Sequence, residues 1–441
     1  MDIYKKADII PQKEKLLLSD KKKIANYLTN DFREPVRDPI WKNIFFPVPF
    51  KKIIHEPAFQ KLHNIKQLGP IFHIYPGATH TRFSHSLGVF NIARKMIQTL
   101  LRYKELDFLT FEGLKAFLCA ALLHDIGHFP FAHSLKELPL KDHEKLTSEL
   151  ILSTPLKKII ESGIGTDPDL TAAIIDTTLK SGNEEVLFFR NILSGVLDPD
   201  KLDYLNRDAY YCGVPYGIQD SDYILNKIIP HRTHGIALGI DALGAVENIL
   251  FSKYLMYKAV YWHKTVRIAT AMIKKAVFEG LENSIIRPED LYGLDDNTFY
   301  KKFGTSKYEP FKLIKDVSER NFYKCIYEIP FSQSNPVHKS LINLTNRAEM
   351  EKEISLAFKL RGKPGISPYS VIIDIPEDIS FELEVPVKID DTFADYSSSG
   401  SVFTPPVING FVTAIRKIRI IASESLAKKV KGGKELAKWL N

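Results

Sequence analysis

A His-Asp pair at the end of an apolar run constrains this chain more than any other feature. Phe117, Leu118, Leu122 and Leu123 lead into His124-Asp125, in a segment that reads as a buried helix opening at Thr110, an N-cap, with Glu112 in its first turn. A carboxylate buried there without a partner is costly, and a bound metal ion removes that cost. The pair does not stand alone. Of the thirteen histidines, His73, His80, His85, His124, His128, His133 and His143 crowd into one stretch of the chain.

A divalent metal held by imidazole and carboxylate needs about four protein ligands and one open position. Upstream, His85 stands at the start of an amphipathic helix that continues through Leu87, Ile92, Met96, Ile97 and Leu100. Downstream, Asp200, Asp203, Tyr204, Arg207 and Asp208 are spaced so as to share one helical face. Pro199 suits the first turn and sets Asp200 at the mouth of that helix. A solvated face with internal ion pairs would show the same spacing. The candidate ligands are therefore His85, His124, Asp125 and Asp200, a set that takes Mn, Fe, Mg, Zn, Ni or Co without choosing among them. His128, His133, His143 and Glu144 are candidate acid–base groups. Arg82 and Lys201 flank the ligands and suit phosphate oxygens.

The 441 residues carry 60 Lys+Arg against 53 Asp+Glu, a net charge of +7 that fits either an ordinary mixed surface or a basic pocket for phosphate or nucleic acid. Cys119, Cys212 and Cys325 form no CxxC and imply no disulfide framework. No secretory signal and no membrane span is expected, so the chain reads as cytoplasmic. The fold class expected is mainly α: an N-terminal arm or peripheral helix over 1–35, a helical core over 36–290, and an α+β accessory region over 291–441. In that last region Tyr369–Ile375 and Ile379–Val385 read as strands, Ser397–Ser401 as a mobile loop, and about 408–431 as a final helix.

The string His85, His124-Asp125, Asp200 resembles the H…HD…D signature of the HD-domain phosphohydrolases. The flanking text, Gln67-Leu68-Gly69, Pro76 to Gly88, His124 to His133 and Asp198 to Asp208, is similar to their deoxynucleoside triphosphate triphosphohydrolase branch. That branch includes dGTPase-like enzymes of bacteria and the sterile-alpha-motif-linked HD enzyme of animals; no sterile alpha motif is expected ahead of the HD segment here. The resemblance implies that His85, His124, Asp125 and Asp200 hold the metal and that Arg82, Lys201 and Tyr204 hold a triphosphate. It places His128, His133 and His143 around the α-phosphate, with Glu144 in support. Gln67 and Asp208 would bind the sugar 3′-hydroxyl, Leu68 would pack against the sugar, and Tyr261 would close its 2′ side. The implied reaction is dNTP + water → deoxynucleoside + triphosphate. A homo-oligomer, dimer or tetramer, and a nucleotide activator are implied partners.

Some positions depart from that pattern. Lys136 replaces an acidic residue beside a catalytic histidine, with Glu137 as a candidate substitute; Trp262 replaces a glutamine near the sugar and Lys253 an arginine near the phosphates. His55 and His63 alter the guanine-sensing segment of regulated relatives, so activation by GTP is expected to be absent or altered. The competing readings are another HD activity, on nucleotide phosphomonoesters or phosphodiesters, and a nucleic-acid-binding protein with a vestigial site. Against the latter, no basic stripe is interleaved with aromatic residues.

Overall fold

The computed structural model describes residues 12–360, 366–379, 381, 383–430 and 434–440; residues 1–11 of the expected N-terminal arm lie outside these. Numbering helices of seven residues or more, the chain opens with α1 (Gln12–Asn30), whose Ile24 and Leu28 are buried, and the antiparallel hairpin β1 (Phe32–Asp38) and β2 (Lys42–Pro47). The central helices follow: α2 (Arg82–Leu100), α3 (Phe111–Leu123), α4 (His143–Ile151), α5 (Pro168–Ile175), α6 (Glu184–Leu193) and α7 (Pro199–Cys212).

Local chemistry sets several of these boundaries. Thr110 accepts a hydrogen bond from Gly113 N at the start of α3, and Asp198 accepts one from Lys201 N at the start of α7. Pro199 occupies the first turn of α7, where its missing N–H costs nothing, and Gly213 ends the helix in the left-handed conformation. Leu202 and Leu205 are fully buried on one side of α7. The polar face of the same helix packs against α2 and carries Asp203 and Arg207 into the interior.

Beyond α7 come α8 (Ser221–Lys227), the hairpin β3 (Ile228–His231) and β4 (Gly235–Gly239), α9 (Leu243–Met256) and the long α10 (Lys264–Glu282). Then follow α11 (Asp296–Gly304), α12 (Lys312–Ser318), β5 (Lys324–Pro330), α13 (Leu344–Leu360), β6 (Val371–Asp374), β7 (Pro386–Ile389), β8 (Thr392–Asp395), α14 (Pro405–Ile415), β9 (Lys417–Ala422) and α15 (Lys434–Leu440). The mainly helical fold with an α+β C-terminal region is the expected class. Two small sheets serve that region: β5-β9-β6, antiparallel with β9 in the middle, and β3-β4-β7-β8, in which β4 and β7 run parallel. Through the second sheet, Phe381, Val385, Val387 and Phe403 join the same apolar core as Ile92, Phe117 and Leu202. The C-terminal third thus folds back onto the helices around His85, His124, Asp125 and Asp200.

Two local expectations need correction. The final helix stops at Ile415, and Lys417–Ala422 is instead the central strand of a sheet, with Ile418, Ile420 and Ile421 buried. Its β-branched residues pair with β5 on one side and β6 on the other. The strand expected over Ile379–Val385 does not form among its described residues, while Ser380 and Glu382 lie outside them; the next strand is β7. At the end of the Ser397–Ser401 stretch, Ser401 donates to Glu247 and is bonded to the Tyr396 hydroxyl. The strand expected at Tyr369–Ile375 is present as β6. No helix among the described residues is long and apolar enough to cross a membrane.

Candidate metal centre and substrate cavity

His85 sits one turn into α2, His124 and Asp125 follow α3, and Asp200 stands in the first turn of α7. His85 Nε2 lies 2.9 Å from Asp200 Oδ1 and 3.8 Å from Asp125 Oδ2. His124 Nε2 lies 3.5 Å from Asp125 Oδ1 and 3.8 Å from Asp200 Oδ1. Ligand atoms about 2.1 Å from one ion stand about 3.0 Å apart at a right angle and about 3.4 Å apart in a tetrahedron. His85, His124 and Asp125 bring ligand atoms within 4.8 Å of one another, and Asp200 adjoins both histidines. His124 Nε2 is also buried with no hydrogen-bond partner, while its Nδ1 faces the Ala121 carbonyl at 3.0 Å. A nitrogen left bare in this way among carboxylates fits a metal ligand.

A second group, Asp125, His128 and His143, brings ligand atoms within 4.8 Å of one another. There the rings of His128 and His143 are stacked, 4.0 Å between centroids and 17° between planes. Imidazole lone pairs lie in the ring plane, so those of stacked rings run side by side and do not meet on one ion. The first group is the better metal site.

Electrostatics hold the centre ready. Burial opposes charge on Asp125, but the Arg82 guanidinium, 2.7 Å away, and the His124 and His128 rings hold its carboxyl well below the usual range. Burial likewise opposes charge on His85 and Asp200, yet their mutual contact raises the imidazole and lowers the carboxyl. Asp203 adds to this from behind: its Oδ2 lies 2.8 Å from His85 Nδ1. Asp203 is in turn gripped by Arg207 through two hydrogen bonds of 2.8 and 2.9 Å, and Arg207 reaches Asp38 of β1 at 2.8 Å. The Trp41 indole N–H donates to Asp203 as well. Gly88 makes the close approach of α2 and α7 feasible, since a Cβ there would stand 1.8 Å from Asp203 Oδ1 and 2.7 Å from Arg207 Nη2.

The centre opens into a cavity of about 650 Å³. Asp125, Asp200 and His124 line it together with Arg82, Lys201 and Tyr204, and so do Gln67, Leu68, Asp208 and Tyr261. His133, His143 and Glu144 line it too, whereas His128 is fully buried and does not. Enclosure by the cavity walls, then Arg82 and His143, shifts His133 below the usual imidazole range, although its side chain remains open to the cavity. Burial raises Glu144 above the usual carboxyl range. Asp208 is held at both oxygens, by His80 Nε2 at 2.8 Å and by the Tyr261 hydroxyl at 2.6 Å. Gln67 Oε1 is buried without a partner.

Of the departing positions, Trp262 and Lys136 line the cavity. Lys253 lies over the Phe381 ring, 5.2 Å from its centroid. His63 stacks on Phe83. Glu137 does not stand in for the missing acidic residue; it is engaged by Lys274 at 2.7 Å and Arg347 at 3.3 Å. Sequence reasoning missed His80, Asp38 and Trp41, and also Glu377, Asp378 and Ile379, which line the cavity from the C-terminal region. His80 stood out only as one of the clustered histidines, with no role of its own; no local signal pointed at the others.

Comparison with known proteins agrees with this geometry. A family model described as the HD domain matches residues 82–183, and one described as the HD associated region matches 220–403. This chain belongs to the HD-domain phosphohydrolase family, in the group that carries the HD-associated region. Uncharacterized protein YwfO of Bacillus subtilis is 30% identical over 364 residues, 76% of this chain and 77% of its own length. An uncharacterized protein of Methanocaldococcus jannaschii is 34% identical over 322 residues, 72% of this chain, and the match spans 65% of that relative. The human deoxynucleoside triphosphate triphosphohydrolase SAMHD1 is 25% identical over 401 residues, 77% of this chain and 62% of its own. Among solved structures, a hypothetical protein from Aquifex aeolicus superposes with a TM-score of 0.69 at 26% identity, covering 90% of this chain and 98% of that one.

Proposed function

We propose that this chain is a metal-dependent deoxynucleoside triphosphate triphosphohydrolase, converting dNTP and water to deoxynucleoside and triphosphate. One observation carries the reading: a single cavity is lined at once by imidazole and carboxylate ligands, by the cations Arg82 and Lys201, and by Gln67, Leu68, Asp208 and Tyr261. The naming of SAMHD1 as a dNTP triphosphohydrolase supports it. Held by His85, His124, Asp125 and Asp200, the divalent ion supplies Lewis-acid polarisation of a phosphoryl oxygen and a lowered pKa for water.

The chain's own residues do the rest. Arg82 is fixed by Asp125 and keeps further N–H donors for phosphate oxygens, with Lys201 and Tyr204 beside it. The sugar 3′-hydroxyl donates to Gln67 Oε1. Leu68 and the Tyr261 ring crowd the 2′ carbon, and the Tyr261 hydroxyl is already committed to Asp208. Water oxygen bonds to the α-phosphorus while the bond from phosphorus to the 5′-oxygen breaks. His133 and His143 on the cavity wall, with Glu144 in support, are the groups that take up the proton released by water and pass one to the departing 5′-oxygen. The added oxygen leaves with triphosphate. A homo-oligomer and an altered response to a guanine nucleotide belong to the same reading.

The test is to incubate purified protein with each dNTP and NTP in Mn²⁺, Mg²⁺ or Fe²⁺ and separate the products by ion-pair chromatography. Deoxynucleoside with intact triphosphate is expected, and none from Asp125→Ala. Release of monophosphate or inorganic phosphate would replace this reading with a phosphomonoesterase or phosphodiesterase.

A further inference from the structure

The loop that follows the ligand Asp125 has an unusual backbone supply. Its N–H groups turn inward: Ile126 N bonds Leu123 O at 2.9 Å, His128 N bonds Asp125 O at 3.0 Å, and Gly127 N bonds Thr147 Oγ1 at 3.0 Å. The Thr147 hydroxyl in turn donates to His124 O at 3.0 Å. One side of the loop is thereby fastened to α4, and Gly127 is required there, since a Cβ would stand 2.3 Å from the His143 carbonyl. On the other side, the carbonyls of Ile126 and His128 face Lys61, whose Nζ lies 3.4 and 2.8 Å from them. Buried backbone carbonyls seek partners, and here both find the same ammonium.

Lys61 is itself placed by a short, well-packed turn. It opens the 3-10 turn Lys61–Asn64, Leu62 beside it is fully buried, and Gln60 just ahead is tied back to the Ile54 carbonyl at 2.6 Å. The lysine spans the gap between this turn and the loop, and its Nζ donates to two main-chain carbonyls. Setting an ammonium against neutral carbonyls costs desolvation: burial pushes Lys61 down to about 8, and the Asp295 carboxylate offsets only part of that. Such an arrangement is poor for stability alone. It gives one rigid group three donors for fixing a loop only a peptide away from Asp125 and ending at His128.

We propose that Lys61 is a positioning residue for the metal centre: by holding the Ile126 and His128 carbonyls it sets the direction of the Asp125 carboxylate and of the His128 ring behind it. It touches neither ion nor substrate. Partners that orient ligands from outside the coordination sphere are worth roughly ten- to a hundredfold in metal affinity.

The test is the affinity of metal-free full-length protein for Mn²⁺, measured by competition with a chromophoric chelator and so independent of any substrate. Lys61→Met is expected to bind Mn²⁺ roughly ten- to a hundredfold more weakly, with unchanged far-UV circular dichroism. Lys61→Arg, which can still donate to both carbonyls, is expected to recover at least half of that loss on a logarithmic scale. The exposed Lys52→Met serves as the matched control and should bind like wild type. A folded Lys61→Met with wild-type affinity overturns the proposal, as does Lys61→Arg binding no better than Lys61→Met. Should Lys61→Met not fold, Lys61→Arg and Lys61→Gln carry the comparison, with Gln expected to fall below Arg. Failure of dNTP turnover in wild type would count against the proposed reaction and leave this measurement intact.

Discussion

The imidazole of His85 is braced from behind by Asp203, whose Oδ2 lies 2.8 Å from Nδ1 while Nε2 faces the metal site. A carboxylate in that place fixes the tautomer and the ring angle of a ligating histidine. It is also the hub that joins α7, through Arg207, to Asp38 of the first hairpin.

Replacing Asp203 with asparagine keeps the shape and removes the charge. Asp203→Asn should weaken metal binding roughly tenfold or more and lower stability by about 2 kcal/mol, the worth of a hydrogen bond to a charged group. Chelator competition and urea unfolding read the two losses separately. An unchanged metal affinity would show that His85 needs no such brace.

Removing the ion should end turnover while sparing the fold. Dialysis against EDTA, or Asp125→Ala, is expected to abolish product formation, and Mn²⁺ should restore the dialysed protein only. Turnover persisting in either sample would exclude the assigned ligand set.

In the proposed reaction, the hydrogen bond from Tyr261 to Asp208 shapes the wall that meets the sugar. In Tyr261→Phe, Asp208 keeps only His80, and the preference for dNTP over NTP should fall roughly tenfold, matching the loss of about 1.5 kcal/mol. Ratios of kcat/KM for dGTP and GTP report it. An unaltered ratio would mean that the ring alone sets sugar choice.

Glu377 makes a pH-dependent contribution. Burial favours its neutral form, but Arg267 and Lys274 outweigh that and bring it from 4.5 to about 2. A carboxyl depressed on folding stabilises the native state above its unfolded value, and that stability is lost as pH falls. Glu377→Gln should therefore melt lower than wild type at pH 7, with the gap closing between about pH 4.5 and pH 2. Differential scanning calorimetry across that window checks the sign. A gap that widened toward acid would contradict the ion pairing.

What could be read from the sequence was whatever depended on residue type and short spacing. Histidine and aspartate in helical register pointed to His85, His124, Asp125 and Asp200, which the fold brings within a few ångströms. The polar face of α7 was visible, yet the partners that make it an interior face were not. Asp38 and Trp41 come from a distant hairpin, and Lys61 looks like any surface lysine until Ile126 and His128 present their carbonyls to it. The region after Ile415 was misread for a related reason. Its apolar residues suit a helix or a strand, and only pairing with β5 and β6 decides between them.

Gly88 has a use beyond this molecule. Because a Cβ there would collide with Asp203 and Arg207, that position works as a gauge of whether α2 and α7 still close around a working centre. In a diverged homologue that has kept all four ligands, a bulky residue at the equivalent of position 88 would mark helices that have spread and a centre that has lost its grip. The ligands would then survive as relics, and the missing hydrogen would be the earlier sign of decay.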